Sequence, residues 1–248
     1  MRTIDIAGKT TLSALLAVSA ALSPLSAAGA DLEPLRAKVA AAYGADSAAE
    51  LRGYRARGRI LQMKSGIGGT VELSVWLEGS LRSETRYPAG TEVRILQGPL
   101  AWSGGRGRQT FAPREAADAI RLQFHRLAAP FELLSAPADE LALDGETAEG
   151  WVRVARRWDD RTRTVYEIDP ESGRIRRIRG ELTDADGGTL RFDSEDHDFR
   201  EVDGVTFPFR TTTIVDGEIT AEIVLERITP ADKYRAAEFR PSDAAGDI

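Results

Sequence analysis

The sequence predicts a mainly β protein of the α+β class: one large antiparallel sheet with helices laid over one face. Three observations carry this. The stretch 151–228 alternates short apolar-rich segments with turn chemistry, notably Asp203-Gly204 and Asp216-Gly217. Asp-Gly pairs supply the positive φ angles of two-residue hairpin turns, and strands joined that tightly pair antiparallel with their chain neighbours. Second, the stretch from Tyr54 to Phe111 shows period-two alternation, with Val71, Leu73, Val75 and Leu77 set between Glu72, Ser74 and Trp76. That is the mark of strands with one buried and one wet face. Third, the period changes to that of a helix at 113–127, between the two runs of strands.

The elements follow in order. Residues 31–43 place Leu32, Leu35, Val39 and Ala42 at helical spacing, with Gly44 as a stop, and 47–51 continue as a short helix. Strands are expected at 54–63, where Gly58 suits a bulge, then at 71–77, 81–87 and around 92–95. A hairpin joins 99–102 to 109–111. The helix at 113–127 starts on Pro113, which suits a first turn. It groups Ala116, Ala117, Ile120, Phe124 and Leu127 on one face, with Arg114, Glu115, Asp118 and Arg121 off it. Pro130 interrupts it, and 131–134 continue apolar. Residues 135–150 read as a loop. Strands then resume at 151–158, 163–169, 174–181, 189–193, 205–215 and 218–228.

Ahead of this lies a basic start with Arg2 and Lys9, the apolar run 12–22, and the small-x-small site Ala28-Gly29-Ala30. This is the order of a secretory signal peptide, cleaved near Ala30. Its apolar run is shorter than the roughly 20 residues that span a bilayer. The expected organisation is a signal segment at 1–30, a single domain at 31–243 and a loose tail at 244–248, in a protein exported to a periplasm. Without cysteine there is no disulfide, thiol nucleophile or lipid-bearing first residue. The chain carries −6; because Arg2, Lys9 and Asp5 sum to +1, residues 31–248 carry −7. An acidic chain disfavours nucleic acid and anionic membrane surfaces as partners.

The candidate sites are few. His125 falls in the helix, and His197 in Ser194-Glu195-Asp196-His197-Asp198, which reads as a solvated turn rather than a metal site. Neither has metal-ligand spacing, and no nucleophile elbow is present. Asp184-Ala185-Asp186-Gly187 begins like a calcium loop but lacks the rest of that pattern. No metal or cofactor is expected. Arg174, Arg176, Arg177 and Arg179 form a basic strand face that acidic neighbours would pair. An amphipathic helix between two halves of a sheet must lay its apolar face on that sheet. It can then act as a lid over a pocket lined by Trp76, Trp102, Ile120, Phe124, Leu127, Phe131, Trp151 and Tyr166.

The same order of fragments resembles the LolA-like family of periplasmic outer-membrane lipoprotein-sorting proteins, over nearly all of 31–248. The matching fragments are Leu100-Ala101-Trp102-Ser103-Gly104-Gly105, the apolar helix ending Pro130-Phe131-Glu132-Leu133-Leu134, and Val165-Tyr166-Glu167-Ile168-Asp169-Pro170-Glu171-Ser172-Gly173. Phe199-Arg200-Glu201-Val202-Asp203-Gly204-Val205-Thr206-Phe207-Pro208-Phe209 follows them. The resemblance implies an open, incomplete antiparallel β-barrel (LolA/LolB-like) with helices over its concave face and a cavity for acyl chains. It implies a non-catalytic monomeric carrier whose partner is the acyl chain of a lipid or lipoprotein, with an envelope membrane protein as a further partner. The alternative is an envelope protein-binding or sensor module of the same fold, with a packed core and no lipid ligand.

Overall fold

The computed structural model describes residues 32–183 and 187–242. The signal segment, the tail 244–248 and Asp184-Ala185-Asp186 lie outside them.

Two helices, α1 (Glu33–Tyr43) and α2 (Ala45–Glu50), precede six strands: β1 (Gly53–Gln62), β2 (Gly68–Trp76), β3 (Ser80–Tyr87), β4 (Gly90–Gln97), β5 (Leu100–Gly105) and β6 (Arg108–Phe111). Helices α3 (Arg114–Leu127) and α4 (Ala129–Ser135) follow. Seven strands complete the chain: β7 (Leu141–Glu146), β8 (Val152–Arg157), β9 (Thr162–Ile168), β10 (Ile175–Thr183), β11 (Thr189–Val202), β12 (Val205–Val215) and β13 (Glu218–Ala231). All thirteen form one sheet in the order β6-β5-β4-β3-β2-β1-β13-β12-β11-β10-β9-β8-β7. Each half is a meander of chain neighbours, and the halves join where β1 pairs antiparallel with β13. Among the described residues β6 and β7 have no outer partner, so the sheet stays open.

That order explains the helical insert. The chain leaves one edge at β6 and must reach the other edge at β7. It crosses the inner face to do so, and α3 is the crossing. Its Ile120 and Phe124 join a core with Val71, Leu73 and Leu81 of the first half and Phe207 of the second. Leu122 points instead at β10, where Gly180 leaves room: a Cβ there would meet the Leu122 side chain at 3.2 Å. A helix lying in a trough buries more than one stripe. So Asp118, placed off the apolar face by its spacing, is also buried, and pairs with Arg121 at 2.6 Å and Arg161 at 3.3 Å.

α1 and α4 close the other end over Tyr166, Ile168, Ile175 and Ile178. Arg36 binds them together by donating to the carbonyls of Leu134 and Ala136 at 2.6 and 3.1 Å. Gly44 ends α1 at φ +101°, and a Cβ there would sit 2.0 Å from the Gly204 carbonyl oxygen. No other residue fits that approach of the α1–α2 corner to the β11–β12 turn.

Two sequence expectations change. The loop 135–150 contains strand β7, paired to β8. As an edge strand that buries only Leu141 fully, it shows little alternation. The acidic group 194–198 is no turn. It lies within β11, where Ser194 and Glu195 pair with both β10 and β12 while Asp196 and His197 pair with β12 alone. Asp193 and Glu195 point outward to Arg179 and Arg177, while Ser194 and Asp196 point inward. With polar residues on both faces the period-two signal vanishes. Gly58 does mark a register shift in β1, between Arg57 and Gly58.

Candidate functional site

The space between α3 and the inner face is the strongest candidate site. Strand alternation aims Tyr54 of β1, Ile178 of β10, Ser194 and Asp196 of β11, Phe207 and Thr211 of β12 and Ile223 of β13 into it. α3 contributes Gln123, Arg126 and Leu127, and α4 adds Phe131. Together they enclose an inner cavity of about 90 Å³. It shares Gln123, Leu127, Thr213 and Ile223 with a larger groove of about 560 Å³, which runs out over Val71, Leu73, Tyr87 and Phe192. The two adjoin at these shared residues as the inner and outer parts of one channel. Its outer end carries Lys64, Glu92 and Glu218.

The channel floor is polar. Asp196 is 8 % exposed and accepts a 2.9 Å hydrogen bond from Thr211 Oγ1. Burial pushes its carboxyl up to about 7, against that hydrogen bond and the charge of Arg126, which both lower it. Burial also pulls the Arg126 guanidinium down to about 10, aided by the like charge of Arg94. Tyr43 and Tyr54 face the same region, and burial first, then the Asp196 charge, raise both phenols. Tyr54 Oη also donates to the Leu127 carbonyl at 3.0 Å, holding the end of α3 to β1. Sequence reasoning missed this floor. Arg126 looked like one of many arginines, and Asp196 like part of a surface turn.

Of the aromatic and aliphatic candidates, Leu127 and Phe131 border the channel. Ile120 and Phe124 lie in the core between α3 and the first-half strands. Tyr166 is wholly buried in the second core, and its hydroxyl has no hydrogen-bond partner. Trp76 and Trp102 are set on the outer face, because strand alternation turns them away from Val75 and Ala101, which face inward. There Trp76 contacts Tyr234 at 5.5 Å, and Trp102 stacks on Phe111 at 5.3 Å. Trp151 is half-buried in the β7–β8 turn, its backbone N–H donating to Thr147 Oγ1 at 3.2 Å.

The remaining polar groups are tied up structurally. His125 Nδ1 lies 3.0 Å from Glu132, and its ring stacks on Trp158 at 3.6 Å. His197 stands opposite Arg210 in β12. The basic face of β10 is paired: Arg177 and Arg179 both reach Glu167, at 3.7 and 3.6 Å, besides Glu195 and Asp193. A further cavity of about 450 Å³ lies between α1, α2 and α4; four of its twelve lining residues are alanines, and Phe131 borders both it and the channel.

No family model matches the chain, and no curated protein matches it in sequence. Solved structures match it in fold. A DUF1329 family protein from Desulfovibrio piger superposes with a TM-score of 0.51 at 13 % identity, over 84 % of this chain and 97 % of that one. A LolA superfamily protein from Nitrosomonas europaea gives 0.50 at 10 % identity, over 78 % and 94 %. An outer membrane lipoprotein-sorting protein domain from Vibrio parahaemolyticus gives 0.48 at 9 % identity, over 83 % and 94 %. The first two show that the chain has the LolA-like fold, an open antiparallel sheet with helices against it.

Proposed function

We propose that the protein is a carrier or binding protein for a hydrophobic ligand with an acyl chain, working in the periplasm after removal of the segment 1–30. The observation that carries this reading is the channel under α3. Its wider part, about 560 Å³, falls within the roughly 300–1,000 Å³ of small-molecule sites. Each methylene moved from water into it contributes about 0.8 kcal/mol, so part of one chain suffices for reversible binding. Sorting of lipoproteins to the outer membrane is the cargo that the fold likeness suggests.

Native mass spectrometry of protein purified from a membrane-containing extract tests the reading. Adducts of lipid mass, displaced by a fluorescent acyl probe, are the expected result. Narrowing the groove with Ile223→Trp should weaken the probe about tenfold. A protein free of adducts that also ignores the probe refutes the carrier. The small inner cavity, about 90 Å³, favours one second reading: a largely packed module that contacts an envelope protein. A stable protein partner recovered without lipid supports that reading instead.

A further inference from the structure

We infer that the acyl ligand is a free long-chain carboxylate, bound head-inward with its carboxylate on Arg126 and its chain along the outer groove. The inference rests on the carrier reading and names the ligand class of the same site.

An acyl-chain cavity needs no polar floor, and burying one is unfavourable unless its groups are partnered. Here they are partnered poorly. Arg126 is half-buried and has five N–H donors in a planar fork; among the described residues its one protein acceptor is the Phe192 carbonyl at 3.4 Å, with the Phe192 ring 5.9 Å away. Among the described residues no carboxylate lies within ion-pair distance of it. Ser194, 5 % exposed beside it, has a hydroxyl with no hydrogen-bond partner. The floor thus offers unspent donors from two elements, α3 and β11.

The chemistry that fits is a planar, singly charged anion. A carboxylate meets a guanidinium through two parallel hydrogen bonds. The space selects it further: about 90 Å³ corresponds to roughly three water molecules. That admits a carboxylate and a few methylenes but no phospholipid or sugar head group. The other groups around the floor are compatible. Arg94 on β4 adds positive charge, and the Tyr43 and Tyr54 phenols stay neutral. Asp193, behind β11, is paired with Arg179. Asp196 is the competitor: once ionised it opposes a second carboxylate. Binding should therefore weaken as pH rises through about 7.

The test is competition of laurate, methyl laurate and dodecyl phosphate against a fluorescent acyl probe. It uses the chain without its signal segment at pH 6. Laurate is expected to bind at least about tenfold tighter than its methyl ester. In Arg126→Met that preference should collapse to about one, and in Arg126→Lys it should be partly restored. Raising the pH to 8.5 should weaken laurate several-fold without a matching effect on the ester. Equal binding of laurate and ester by the unaltered protein overturns the inference and leaves the carrier standing. So does tighter binding of dodecyl phosphate than of laurate. Failure of all three to displace the probe, with no lipid adduct in the native spectrum, overturns the carrier reading as well. The ligand comparison uses the unaltered protein, so an Arg126 variant that misfolds does not block it.

Discussion

At the scale of single residues, Asp196 and Tyr166 each carry chemistry that conflicts with their surroundings. The Asp196 carboxyl titrates at about 7 when folded, against 3.8 ordinarily. Between those values the folded chain holds a proton that the unfolded chain lacks. The group's contribution to stability is therefore full below about pH 4 and is lost as pH rises through about 7. The loss is on the order of 4 kcal/mol at most. Asp196→Asn should melt within about 2 °C of the unaltered protein at pH 4 and clearly higher at pH 8; thermal melts at both values check this, and an equal effect at both would contradict it. Tyr166 buries a hydroxyl without a partner. Tyr166→Phe should leave stability unchanged or raise it by about 1 kcal/mol, read from urea unfolding. Such conflicts are invisible in sequence: Asp196 sits among charged neighbours and Tyr166 in an ordinary apolar run.

At the scale of elements, α3 decides the architecture. Its helical period, its Pro113 start and its position between two strand runs were legible, because local spacing sets them. The burial of Leu122 and Asp118 was not, because it arises from a trough with walls on both sides. Leu122 is fully buried over Gly180. Leu122→Ala should cost about 2–5 kcal/mol and loosen the fit of α3 to β10, measured as a lower urea midpoint with faster amide exchange in α3. The corner at Gly44 is equally sensitive. Gly44→Ala adds a Cβ 2.0 Å from a backbone oxygen at positive φ, and should cost on the order of 2–4 kcal/mol. A melting temperature unmoved by that change would mean that the α1–α2 corner does not hold the β11–β12 turn so closely.

At the scale of the whole molecule, stability should be graded across the open sheet. β1, β13 and β12 are covered by partners on both sides, while β6 and β7 each leave an edge. Amide exchange should be slowest along β1–β13 and fastest in β6 and β7, over a span of several kcal/mol in opening free energy; equal protection at the edges would indicate that they pair with something further. The sequence by itself determined most of the strands, their antiparallel sense, the inserted helix and the LolA-like pattern, since turn chemistry and periodicity are local properties; β7 and the second half of β11 escaped it. Only the tertiary structure decided which face each aromatic serves. Regular alternation sets Trp76 and Trp102 on the outer face, away from their inward neighbours Val75 and Ala101. The tertiary structure also decided that Arg126 and Asp196, 70 positions apart in the chain, meet at the floor of one channel. Side chains from α3 and β11 converge there because the helix must cross the sheet from one edge to the other, and no local pattern in the chain encodes that crossing.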